Sequence, residues 1–362
     1  MRNIFLFFFV FFNLNVFANS LDENLVKKQI AKMLIVGFDK AKIDNSSQIV
    51  KDIKKYQLGG VILFDKNLQD KSKSKNIISF EQVKKLTQSL QNLVDYELII
   101  SIDQEGGKVQ RLKKEYGFIE TLSANDISKL SLNKVRQEYK SLALQLSELG
   151  INLNFAPVVD LAINPNNKVI TKLNRAYSTN VNDVVKYAKI LIQEQEKNKV
   201  TSVLKHFPGH GSSLEDSHNG FVDITNSWNK IELEPYKKLI KQNSVDMIMT
   251  AHVFNKNLDE NYPATLSYKV NTKLLRKKLG FQGIIISDDL QMKAISKHYS
   301  LNEVVRLTIN SGVNILLFGN QLAKYKTTDI INTIYEEVEK GNIAYEKIIQ
   351  SNKKIKNYLF RK

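Results

Sequence analysis

The stretch from Lys205 to His218, Lys-His-Phe-Pro-Gly-His-Gly-Ser-Ser-Leu-Glu-Asp-Ser-His, holds three of the chain's five histidines. It follows a short apolar run, Ser202–Leu204, and breaks at Pro208, Gly209 and Gly211, which neither continue a strand nor begin a stable helix. Asp216 and His218 stand two residues apart on this loop. A histidine near its ordinary pKa of about 6.5 gives and takes a proton near neutral pH. A neighbouring carboxylate can fix its tautomer and stabilise the imidazolium. Standing alone, Glu215, Asp216 and His218 would read as a solvated loop. His206, His210, Asp216, His218 and His252 also offer nitrogen and oxygen donors to a metal. Their spacing matches no short zinc signature, however, and Pro208 and Gly209 keep His206 and His210 from sharing a helix face.

Two further segments carry chemistry. In Gly283-Ile-Ile-Ile-Ser-Asp288-Asp289-Leu290 an apolar run delivers a carboxylate at its end. A carboxylate fixed there can attack an anomeric carbon and form a glycosyl ester, while its neighbour can cap the following helix. In Ile102-Asp-Gln-Glu-Gly-Gly-Lys-Val-Gln-Arg111, Asp103 can accept hydrogen bonds from adjacent sugar hydroxyls. Gly106 and Gly107 let backbone approach a ligand, and Arg111 brings back a fixed fork of donors.

Eight apolar runs must position these groups: Met33–Phe38, Gly60–Phe64, Leu98–Ile102, Ile151–Val159, Ser202–His206, Val245–Ala251, Gly283–Ser287 and Val313–Phe318. Each is rich in Val, Ile, Leu or Phe, as strands buried on both faces are. Amphipathic stretches lie between them, among them Val135–Leu149, Val184–Ile192, Leu233–Ile240 and Leu301–Ile309. Strand and helix alternating eight times predicts a single (β/α)₈ TIM-type barrel, with Ile331–Leu359 as extra C-terminal helices. The third run ends in Asp103 and Glu105, the fourth in Asp160, the fifth in Lys205-His206, the sixth in His252 and the seventh in Asp288-Asp289. The C-terminal ends of barrel strands carry chemistry, so five converging ends mark a site.

The 362 residues are 43% hydrophobic and 25% charged, ordinary for a globular chain. The net charge of +16 raises the question of nucleic acid. The basic residues are mostly Lys, dispersed along predicted helical segments such as Lys51–Lys55 and Lys71–Lys75, and no nucleic-acid-binding motif accompanies them. Such a surface equally favours an acidic polymer. The absence of cysteine excludes disulfides, thiol nucleophiles and thiolate metal sites. Arg2, the apolar residues Ile4–Phe12, and Val16 and Ala18 have the parts of a secretory signal peptide. The expected organisation is a signal peptide over 1–18 and one catalytic domain over 19–362. The expected location is periplasmic or secreted. The apolar run is shorter than the about 20 residues a membrane span needs, so no stable insertion is expected.

Together these motifs resemble glycoside hydrolase family 3, in its β-N-acetylhexosaminidase branch. The resemblance runs from about Asn24 to Gly319. It rests on Asp103, Glu105, Gly106, Gly107, Val109 and Arg111, on Asn154–Asp160, on Lys205-His206, on Asp216-Ser-His218, on Ala251-His-Val253, on Tyr262–Ser267 and on Asp288. It implies Asp288, rather than Asp289, as nucleophile and Asp216 with His218 as an acid/base dyad. It implies Asp103, Arg111, Lys205 and His206 as ligands of the terminal sugar, Arg175 on its N-acetyl side, and Met292 lining the pocket. The implied activity is that of a retaining exo-β-N-acetylglucosaminidase acting without cofactor or metal on peptidoglycan fragments or chito-oligosaccharides. The expected partner is a carbohydrate, met by a monomer. Asn174-Arg-Ala-Tyr-Ser178 stands where the family usually reads Arg-Ser-Phe-Ser, and Asn167–Leu173 lacks a common Pro and Gly, so this loop departs from the family shape. Three alternatives stay open. They are a β-glucosidase, an N-acetylglucosaminide phosphorylase, since a histidine lacks a carboxylate's repulsion toward an anion, and an exported non-catalytic sugar-binding protein, which would need neither Asp288 nor His218.

Overall fold

Each of the eight apolar runs contains one strand of a parallel sheet: β1 (Leu34–Gly37), β2 (Gly60–Leu63), β3 (Ile99–Ile102), β4 (Leu153–Asn154), β5 (Thr201–Phe207), β6 (Met247–Thr250), β7 (Ile284–Ser287) and β8 (Leu316–Phe318). The computed structural model describes residues 22–68, 70, 74–215 and 220–359; the proposed export segment, Asp216 and His218 lie outside them. The strands pair in the order β7-β6-β5-β4-β3-β2-β1-β8. A bridge between Ile286 and Ile315 joins the two ends, so the sheet closes on itself. Closure leaves no edge strand exposed, and the strands' β-branched side chains are buried on both faces. Ile62, Met249 and Leu317 line the cavity at the barrel's mouth from below. By strand alternation their neighbours Val61, Ile248 and Leu316, each 0% exposed, face the surrounding helices.

Helices Gln48–Tyr56, Phe80–Gln91, Leu132–Glu148, Val181–Lys197, Glu234–Lys241, Lys269–Lys278 and Leu301–Ser311 occupy the seven crossovers. Thr327–Glu339 and Tyr345–Leu359 follow β8. Val181–Lys197 shows why such segments are helical. The Asn180 side chain accepts from the N–H groups of Asn182 and Asp183, and Val184, Ala188 and Leu191 form a buried stripe. Removing that cap costs about 1 kcal/mol.

Two expectations change. The run Ile151–Val159 supplies only a two-residue strand, because the N–H of Ala156 turns back to Asn154 O at 2.8 Å and Pro157 then has no N–H to resume a ladder. The run meets β5 again at a single bridge from Val158 to Lys205. Lys75 does not lie on a helical face. It is 2% exposed, and its Nζ lies 2.8 Å from Asn320 O and 3.4 Å from Asp39 Oδ1.

Candidate active site

The ends of the third, fifth and seventh strands deliver Asp103, Glu105, Lys205, His206, Asp288 and Asp289 to one cavity of about 350 Å³; Asp160 and His252 stand behind its wall. At β3 the chain leaves the sheet after Ile102 and turns through a hairpin, Gln104–Gly106 against Val109–Gln110. Gly106 and Gly107 take φ of +100° and +57°, and a Cβ on Gly106 would meet Leu122 O at 2.0 Å, so the turn requires glycine. Gln104, 0% exposed, locks the hairpin: its Oε1 accepts from the N–H groups of Arg111 (2.9 Å) and Leu112 (3.0 Å). Its backbone exchanges two hydrogen bonds with the Asn154 side chain on β4, at 3.0 and 3.1 Å. This returns Arg111 to Asp103, with Nη2 at 3.1 Å from Oδ2.

Strand β5 extends further than its neighbours and carries Lys205 into the same place. Its Nζ lies 2.9 Å from Asp103 Oδ1 and 2.7 Å from Glu105 Oε1. Arg175 closes the array with a bidentate pair to Glu105, both contacts at 2.7 Å. Arg175 Nη2 also lies 3.3 Å from His206 Nε2, and His206 Nδ1 lies 2.7 Å from Asp160 Oδ2. A guanidinium only donates and a carboxylate only accepts, which places the His206 hydrogen on Nδ1.

Burial alone would raise the pKa of Asp103, but Lys205 and Arg111 overcome it and hold the carboxyl well below its ordinary range. Burial likewise opposes ionisation of Glu105, and Arg175 and Lys205 reverse the effect. At Asp160 burial is overcome by His206 and by the N–H of His210. Lys205, which burial would neutralise, is held charged by Asp103 and Glu105. The mouth is therefore lined by fixed donors and acceptors, the equipment for reading adjacent hydroxyls on a neutral sugar.

Across the cavity, β7 ends in Asp288 and Asp289. Asp289 Oδ1 accepts from the N–H groups of Gln291 and Gly319, both at 3.1 Å, and its carbonyl lies 2.9 Å from His252 Nε2. Asp289 thus ties β7 to β8. Asp288 Oδ1 accepts from the N–H of Asp289 at 2.8 Å. Met292, 2% exposed, lines the same cavity.

Asp103, Arg111, Arg175, Lys205, His206, Asp288 and Met292, separated by up to 189 positions in sequence (292 − 103), all line this cavity. Asp216 and His218 lie outside the described residues. Among the described residues no three His, Cys, Asp or Glu side chains are grouped to hold a metal ion. Sequence reasoning gave no role to Glu105, the shared anchor of Arg175 and Lys205, or to Asp160, the partner of His206. Both lie at strand ends, which was the available signal; the partners, 70 and 46 positions away, were not readable. Glu232 went unremarked.

The family described as glycosyl hydrolase family 3 N terminal domain matches residues 25–358. Beta-hexosaminidase A of Pseudoalteromonas piscicida is 36% identical over 289 residues, covering 73% of this chain and 46% of that protein, so the match spans about half of that relative's length. A beta-hexosaminidase of Haemophilus influenzae (strain ATCC 51907 / DSM 11121 / KW20 / Rd) is 34% identical over 274 residues, 73% of each chain. Among solved structures, a glycoside hydrolase family 3 beta-N-acetylglucosaminidase from Paenibacillus sp. str. FPU-7 superposes with a TM-score of 0.82 at 29% identity, over 92% of this chain and 62% of that one.

Proposed function

The chain belongs to glycosyl hydrolase family 3, and from that premise we propose that it is a retaining, exo-acting β-N-acetylglucosaminidase. The observation that carries the reading is the cavity itself. One wall is an ionised hydrogen-bonding array, Asp288 stands at the end of a strand across from it, and Ile62, Phe155, Met249 and Leu317 close the floor. A pocket with a closed floor admits the end of a glycan rather than its middle. The relatives' names supply the N-acetylglucosamine, and Arg175 is its proposed neighbour.

Asp103, Arg111, Lys205 and His206 bind the hydroxyls of the terminal sugar. In the first step an Asp288 oxygen bonds to the anomeric carbon as the glycosidic bond breaks. His218, oriented by Asp216, gives its proton to the departing oxygen. In the second, His218 takes a proton from water, the water oxygen bonds to the anomeric carbon, and the Asp288 carboxylate is released. No redox partner or cofactor enters. The proposed setting is outside the cytoplasm, with the mature chain starting near Asn19 and acting on peptidoglycan fragments or chito-oligosaccharides.

The test is hydrolysis of nitrophenyl β-N-acetylglucosaminide against the β-glucoside, each with and without phosphate. Faster release from the N-acetylglucosaminide, unchanged by phosphate, supports the proposal. Preference for the glucoside overturns the sugar, and a glycosyl phosphate product overturns hydrolysis. Binding without turnover would leave a sugar-binding protein. Mass spectrometry of the native protein is expected to find an N-terminus near Asn19; an intact Met1 on protein recovered from the cytoplasm would refute export.

A further inference from the structure

Glu232 is 1% exposed, in the turn Lys230–Leu233 ahead of helix Glu234–Lys241, and takes no part in the mechanism above. Its Oε2 accepts from the N–H of Gly211 at 2.7 Å. Its Oε1 is buried with no hydrogen-bond partner. The contact with the chain after β5 is close: a Cβ on Gly209 would meet Glu232 Cβ at 2.5 Å and Oε2 at 2.8 Å. The same stretch is held from two other sides. The Asn167 side chain donates to His210 O (2.7 Å) and Gly211 O (3.1 Å), and Asp160 Oδ1 accepts from the N–H of His210 at 2.8 Å. His210, in this stretch, and His206, near the end of β5 just before it, line the cavity.

We propose that Glu232 is a positioning residue that holds the chain from Pro208 to Ser213 against the pocket and keeps His206 and His210 in its wall. The inference rests on the hydrolase reading for its activity readout. The groups facing Glu232 are Asp160, Tyr236 on the following helix, the Ser212 hydroxyl and the backbone N–H of Asn229. None is a cation. Burial, with Asp160 adding to it, pushes the Glu232 carboxyl up to about 7. Ionisation would strengthen the Gly211 hydrogen bond itself, but burial and the second negative charge beside Asp160 outweigh that gain, so the neutral form is the one the folded stretch favours and the fold loses stability as pH rises.

The experiment compares E232A, E232Q and wild type across about pH 5.5 to 8.5, by kcat/KM on nitrophenyl N-acetylglucosaminide and by Tm. E232Q keeps an acceptor for Gly211 and cannot ionise. E232A should lose tenfold or more in kcat/KM, on the order of one lost hydrogen bond to a buried group. E232Q should restore activity at the acid end, and its ratio to wild type should rise about threefold or more toward the alkaline end. The wild-type Tm should fall across this range more steeply than that of E232Q. Full activity in E232A, or pH profiles of E232Q and wild type that superimpose, would overturn the proposal. Should E232A fail to fold, E232Q decides. A wild type inactive on every β-glycoside would sink the hydrolase reading instead, and the Tm comparison would still decide this one.

Discussion

Asp103, Glu105 and Glu232 are largely buried carboxyl groups near the same barrel mouth, yet they are driven in opposite directions. Burial disfavours the charged form of all three. Asp103 and Glu105 are answered by Lys205, Arg111 and Arg175 at 2.7–3.1 Å and stay ionised. Glu232 is answered only by neutral donors, the Gly211 N–H at 2.7 Å among them, and faces Asp160. Burial therefore does not decide a charge state; the counter-charges built around the group do. The sign of pH dependence follows. The lowered pKa values of Asp103 and Glu105 give stability that is complete above the ordinary carboxylate range and is lost as pH falls below it. The raised pKa of Glu232 works the other way: its ionisation costs stability progressively as pH climbs from about 4.5 toward 7.

As the proposed nucleophile, Asp288 should separate turnover from this charge balance: its removal is expected to have the largest effect on rate and a small one on folding. Asp288→Ala is expected to lose several orders of magnitude in kcat while keeping a wild-type Tm. A folded variant with near wild-type activity would remove Asp288 from the chemistry. His218→Ala should follow, with its loss depending on the substrate. First-step rates on substrates with poor leaving groups should fall by about 10²-fold or more, and those on activated nitrophenyl glycosides much less. Asp216→Ala should act in the same direction more weakly, and a chelator should leave the wild type unchanged. An equal loss on both substrates, or activity that zinc restores after chelation, would break the dyad.

Lys205→Met tests the array directly. It leaves Asp103 with Arg111 alone and Glu105 with Arg175 alone, so each buried carboxylate loses one of its two cationic partners. Breaking a buried pair in this way costs about 3–5 kcal/mol. Denaturant unfolding should report that loss near neutral pH and a smaller one in acid, where the carboxyls are protonated. A Lys205→Met protein as stable as the wild type would mean the array is not held by its counter-charges.

All eight strands were legible in the sequence, because a strand buried on both faces leaves an unbroken apolar run whatever it packs against. The site's outline was legible for the related reason that strand ends deliver polar groups to one rim. What could not be read was pairing across the barrel. Nothing in the local sequence of Glu105 announces Arg175, and nothing near Asp160 announces His206. Lys75 was misread because a lysine among lysines looks solvated, whereas backbone carbonyls from the far end of the chain enclose it. Glu232 was passed over because a single Glu ahead of a helix is usually a favourable first-turn charge.

The smallest expected effect is also a check on the comparison. Lys114 and Glu120 form an ion pair at 3.4 Å whose side chains are 77% and 65% exposed, whereas Lys205 and Glu105 meet at 2.7 Å with 3% and 6% exposed. Both are Lys–Glu pairs, so the charged groups are the same, and the large difference is burial. In water the exposed pair gains little Coulomb energy, loses side-chain freedom and is screened by salt. Lys114→Ala should therefore change unfolding free energy by less than about 0.5 kcal/mol, and added salt should erase the difference. The Lys205→Met loss should largely persist in the same salt, because a pair whose side chains are 3% and 6% exposed is screened much less. If the two variants cost the same, or if salt abolished both, the distinction between the barrel's mouth and its surface would fail.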